Sequence, residues 1–270
     1  MYRVRKTEYY IQVKKKSQWL IALMFMLMQI LFCKSSYRYW DYIEEFGNVD
    51  EIYSAEFPPI LNSMLLLILS LYIVFFMLWG IFMIKYDNKE NCIYQRSLTF
   101  DIKKIIWCQY EWIGLNIVYI IVMSIIGSSV VQVMINQTTG KSLDFKFTIA
   151  FLYKLLLKFT VIVIVFIFGF TIGRIVANLV KNIILDVAIC AITSYFLIPR
   201  SWIYKRIVMR LFEDSKYQVV LAEDVPNSNV PVIVDMAVAV LICMIMYVLM
   251  LKLSDKRWMY EKRTKVVAEE

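Results

Sequence analysis

The feature that most constrains this chain is a set of apolar runs too long for any element that meets water on one side. Residues 60–84 contain no charged side chain, and residues 105–134 contain only Glu111. A helix needs roughly 20 apolar residues to cross the ~30 Å hydrocarbon core of a bilayer. Hydrophobic residues make up 60% of the 270 positions, more than a chain of this size hides in one water-excluded core. Apolar runs at about residues 18–35, 60–84, 105–134, 150–172, 182–198 and 231–251 predict an all-α integral membrane protein of six spans. The whole chain, 1–270, reads as a single transmembrane domain.

Charge sets the expected orientation. Arg3, Arg5, Lys6 and Lys14–Lys16 precede the first run, and Lys252, Lys256, Arg257, Lys262 and Arg263 follow the last. Basic flanks stay on the cytoplasmic side, so both termini are expected inside. The loop at 34–58 carries Asp41, Glu44, Glu45, Asp50, Glu51 and Glu56, as an outer loop does. The segment 199–229 is also placed outside. Within it, residues 201–217 set Ile203, Ile207, Val208, Leu211 and Phe212 against Lys205, Arg206 and Arg210, the pattern of a helix lying in the headgroup layer. The net charge of +8 is spread in short groups around apolar runs, which argues for topology signals and against nucleic acid as a partner. No small-residue cleavage site follows the first run, so it is expected to be retained as a span.

The chain has no histidine. That removes most zinc and haem sites and any Ser-His-Asp arrangement, so an intramembrane enzyme is not expected, and neither is a bound metal or cofactor. Cys33, Cys92, Cys108, Cys190 and Cys243 are scattered without a C-x-x-C pair and read as reduced packing residues. Gly140-Lys141-Ser142 looks like the end of a phosphate-binding loop, but Ile135 stands where the earlier glycine is required.

Five charges fall within or at the edges of the spans: Glu111, Lys154, Lys158, Asp186 and Asp235. Each costs ~3 kcal/mol or more if it meets lipid without a partner or water. Lys158 and Asp235 are placed to pair, while snorkelling of Lys154 and Lys158 to the outer headgroups explains the same positions. For Glu111 and Asp186, Arg174 and Lys181 are the nearest cations, assigned to a short inner turn. Gly169 and Gly173 end the fourth run in a small-xxx-small spacing, which permits either close helix packing or a flexible end.

Residues 85–109, between the second and third runs, place Tyr94, Leu98, Ile102 and Ile105 on one helical face, with Arg96, Thr99 and Lys103 away from it. This predicts an amphipathic helix along the inner membrane surface, although a plain basic loop accounts for the charges equally well. Glu90, Arg96-Ser97-Leu98, Phe100, Lys103-Lys104 and Ile105-Ile106 resemble the cytoplasmic loop of ABC-2-type permeases, the membrane subunits of ATP-binding-cassette exporters. Thr99 replaces that pattern's usual proline, and Gln109 its usual lysine. Residues 2–16, with Glu8, the Tyr9-Tyr10 pair and the following basic residues, resemble the amphipathic amino-terminal helix of the same family.

The resemblance implies a permease dimer, formed with a second copy or a paralogue, and two copies of a separate ATPase subunit carrying ATP and Mg. Residues 85–104 would form the coupling segment, with Glu90, Tyr94, Arg96, Ser97, Leu98, Thr99, Phe100 and Lys103 facing the ATPase. The small size, short loops and Lys-, Ile- and Met-rich sequence resemble bacterial plasma-membrane exporters of amphipathic or antimicrobial peptides, including toxin-secretion and lantibiotic-immunity systems. The alternative is a secondary transporter or channel independent of an ATPase.

Overall fold

The computed structural model describes residues 2–14, 23, 27, 30, 31, 59–89, 101–139, 149–180, 182–193, 207 and 232–269. Among these, the regular elements are helices: α1 (Tyr2–Lys14), α2 (Pro59–Lys89), α3 (Ile102–Thr139), α4 (Ile149–Leu179), α5 (Ile183–Ile192) and α6 (Val232–Glu269). Among the described residues, three stretches are long and apolar enough to cross a membrane: Ile102–Val130, Phe151–Leu179 and Ile233–Asp255. In hydrocarbon no water satisfies backbone groups, so a crossing segment must bond its own N–H and C=O groups, which the helix does. A membrane protein follows from these helices.

Local chemistry fixes where the helices start. Pro59 occupies the first position of α2, where its missing N–H removes no bond and its φ is already helical. Asp101 caps α3, its carboxylate accepting from the Lys103 N–H at 3.0 Å. Asn182 caps α5 in extended backbone and accepts from the Ile184 N–H at 2.9 Å. The cap at Asp101 corrects the expectation of one surface helix through 85–109. Residues 85–89 continue α2, and 102–109 belong to α3. A carboxylate that takes up the first free N–H groups begins a helix rather than sitting inside one.

The run-based boundaries also prove too short at other ends. α4 continues to Leu179, so Arg174 is an intrahelical residue and not part of a turn. α6 continues through the charged segment after 251 to Glu269. Hydropathy marks where lipid contact stops, whereas a helix needs only its backbone bonds to go on.

α2 and α4 form the central pair, with α6 against the other side of α4, α1 on α3, and α5 touching α2 and α4. Tyr72 and Phe76 of α2 meet Phe166 of α4, the Phe76 and Phe166 rings stacking at 4.6 Å. Below these rings the helices approach through glycine. A Cβ on Gly80 would lie 2.5 Å from the Phe170 carbonyl oxygen, and one on Gly169 would lie 3.0 Å from Ile73 Cγ1. A Cβ on Gly173 would overlap the Met77 carbonyl oxygen. Gly169 and Gly173 therefore sit in mid-helix against α2, not at a flexible end. Backbone contact of this kind is how helices gain van der Waals attraction in lipid, where tails compete equally for apolar side chains.

The outward faces stay apolar. Leu115, Val118, Val122 and Ile126 of α3 and Leu241, Met244, Ile245 and Val248 of α6 are exposed, as are Leu23, Leu27, Ile30 and Leu31 at helical spacing. Faces of this extent match a lipid solvent.

The seam predicts opposite outcomes for two glycine substitutions. Gly173→Ala should destabilise by about 1–3 kcal/mol because a main-chain carbonyl blocks the methyl. Gly114→Ala, with nothing within 4 Å, should be neutral or stabilise by up to ~1 kcal/mol. Thermal unfolding in detergent compares them directly.

Candidate functional site

The polar side chains gather where α3 begins and α4 ends. Arg174 is 1% exposed, and its Nη1 donates to Gln109 Oε1 at 2.6 Å. Its guanidinium carbon lies 5.9 Å from the Tyr110 ring centroid and 5.6 Å from that of Phe170. A planar, weakly hydrated cation is well suited to such a place, because ring faces and an amide oxygen replace part of its water. A lysine at position 109 would instead set two cations together. Tyr110 shares a hydrogen bond with Thr171 at 2.9 Å and meets Tyr247 of α6 edge-on at 5.0 Å. Asn178 Nδ2 donates to Ser254 Oγ at 3.1 Å. These bonds join α3, α4 and α6 at one level.

α1 clamps the same end of α3. Arg5 Nε donates to Glu111 Oε2 at 2.7 Å, Arg5 Nη2 pairs with Glu111 Oε1, and Trp107 Nε1 donates to that oxygen at 2.8 Å. Val4 packs with Ile105 and Cys108, and the Tyr9 and Trp112 rings lie 5.4 Å apart. Glu111 raises the pKa of Arg5 above its ordinary value, first through the hydrogen bond, so the guanidinium stays charged. Burial, and then the Glu111 charge, pushes the Tyr9 phenol up and keeps it neutral. Arg5 thus replaces Arg174 as the partner of Glu111, a correction that periodicity within the spans had no means to supply, and Lys181 lies outside the described residues.

Four further charges lie on α4, α5 and α6. Lys158 is buried, 1% exposed, so it does not snorkel, while Lys154 is half-buried. Asp186 and Asp235 are both buried and both stand in the first turn of their helices, α5 and α6. Carboxylates are favoured there by the positive end of the helix dipole. Lys103 is exposed in the first turn of α3. Glu90, Tyr94, Arg96, Ser97, Leu98, Thr99 and Phe100 lie outside the described residues.

Arg174, Gln109 and Arg5 are the site residues that sequence reasoning missed. The signal was present only as an arginine in an otherwise apolar helical stretch. Among the described residues no three Cys, Asp or Glu side chains assemble to hold a metal ion. No family model matches the chain, and no curated protein or solved structure matches it.

Gln109→Leu should destabilise by about 1.5–3 kcal/mol, since a buried guanidinium loses a charge-assisted bond. Tyr110→Phe should cost less, about 0.6 kcal/mol, the average for interhelical hydrogen bonds in lipid. Unfolding midpoints of the two variants in detergent check the ranking.

Proposed function

We propose that this chain is the permease subunit of an ATP-binding-cassette exporter. In this reading it has six spans and cytoplasmic termini, lies in a bacterial plasma membrane, and works as a dimer driven by two copies of a separate ATPase. The observation that carries the reading is the way residues 85–104 are bounded. α2 runs past its apolar run to Lys89, and α3 starts at a cap on Asp101. The segment between them holds Glu90, Arg96-Ser97-Leu98 and Phe100, the residues that resemble an ABC-2 coupling loop.

The start of α3 is held by α1 through Arg5 and Glu111 and by α4 through Gln109 and Arg174. A displacement of the coupling segment therefore reaches the α2–α4 seam through side chains already in contact. This supports mechanical coupling, in which closure of the ATPase shifts a rigid element and the bundle follows. The polar segment supplies Arg96 for hydrogen bonds and Leu98 and Phe100 as apolar anchors. The exported cargo in this reading is an amphipathic or antimicrobial peptide.

The test is co-purification of this chain with a co-expressed ATP-binding-cassette ATPase subunit. Leu98→Asp combined with Phe100→Asp should abolish complex formation and permease-stimulated ATP turnover while leaving the permease folded. Unchanged assembly and turnover would contradict the assignment and favour an ATPase-independent carrier.

A further inference from the structure

A groove of about 850 Å³ opens between α3, α4 and α6. This lies within the ~300–1,000 Å³ range of small-molecule sites. Leu156, Val163 and Ile167 of α4 and Val240 and Met244 of α6 form its apolar walls. From Leu156 to Ile167 the wall extends about 16 Å at ~1.5 Å per residue, enough for an extended hydrocarbon chain. The hydroxyl of Thr160 on the α4 wall is turned to the Leu156 carbonyl at 2.8 Å, and only one end is charged. There Trp107 donates to Glu111, the one charged residue among those lining the groove, and Tyr110 and Tyr247 line the same end. Tyr247 meets Trp107 edge-on at 6.4 Å and Tyr110 at 5.0 Å.

We propose that this groove binds a cationic amphipath, with Glu111 and the three aromatic rings receiving the charged head and the α4 and α6 walls receiving the apolar body. A carboxylate beside aromatic rings is the chemistry that recognises a weakly hydrated cation. An anionic or neutral amphipath would gain nothing from it. Glu111 already holds one such cation, the Arg5 guanidinium of α1. Their side chains are 48% and 20% exposed, so the pair is open to exchange at the mouth of the groove. Arg5 acts as a built-in competitor that a ligand must displace, which makes release of α1 from Glu111 a consequence of loading. The inference deepens the exporter reading by naming the chemistry of its cargo, and it rests on that reading for transport alone; binding requires no ATPase.

The experiment uses the full-length chain in phosphatidylcholine nanodiscs without any ATPase. The probes are a diazirine-bearing dodecyltrimethylammonium and the matching diazirine-bearing dodecanol. The cationic probe should label the α4 and α6 walls. Glu111→Gln should reduce that labelling about tenfold, the equivalent of ~1.4 kcal/mol. Arg5→Gln should increase it, which keeps the test decisive if Glu111→Gln misfolds. Labelling by the neutral probe should not change in either variant. Equal labelling by both probes, indifference to both substitutions, or labelling confined to other surfaces would overturn the proposal and leave the groove as a seat for ordinary lipid tails. ATPase co-purification is measured separately, so a failed cargo site and a failed exporter reading are told apart.

Discussion

The bundle depends on the absence of three β-carbons. At Gly80, Gly169 and Gly173 the α2 and α4 backbones come close enough that a single methyl would meet main-chain atoms or the Ile73 side chain. Lipid tails solvate leucine as well as another helix does, so apolar side chains alone give two helices little reason to prefer each other. Close backbone approach supplies dispersion contacts that lipid cannot match. The stacked Phe76 and Phe166 rings then extend the seam along the pair.

The polar contacts of Arg174 are arranged relative to that seam. Gly80 lies against the Arg174 backbone, so the arginine leaves the crossing point and turns its side chain toward Gln109 and Tyr110 of α3. α3 is thereby registered against α4, and α1 is registered on α3 by the Arg5–Glu111 pair. One consequence is mechanical. The first turns of α3, where the proposed coupling segment arrives, are tied to α4 by the buried Arg174–Gln109 bond and to α1 by the more exposed Arg5–Glu111 pair. Another is chemical, because Glu111 is shared between α1 and the mouth of the apolar groove, so the state of one is linked to the occupancy of the other.

The positions of α2, α3, α4 and α6 were legible because an apolar run of more than twenty residues has few alternatives to a helix in lipid. Their ends were not. Arg174 looked like the edge of the membrane, since an isolated charge reads as expensive, but the amide that makes it tolerable lies 65 residues earlier in the chain. The partner of Glu111 is 106 residues away, on a helix whose basic residues had been read as topology signals. Asp101 split a pattern that looked continuous, because helical periodicity is indifferent to where a cap falls. Gly169 and Gly173 carried a recognisable spacing, whereas Gly80, on the α2 side of the same seam, stands alone in its run and gave no such signal. Long-range pairing is decided by which helices meet, and periodicity within a single helix does not contain that information.

The account turns on which side of the membrane the segment at 85–104 occupies, and Cys92 provides a native reporter within it. With Cys33, Cys108, Cys190 and Cys243 replaced by alanine, a membrane-impermeant maleimide should label Cys92 in inverted membrane vesicles and leave it unlabelled in intact cells. Labelling in intact cells, with none in inverted vesicles, would put the segment on the face where no ATP is hydrolysed and contradict the account.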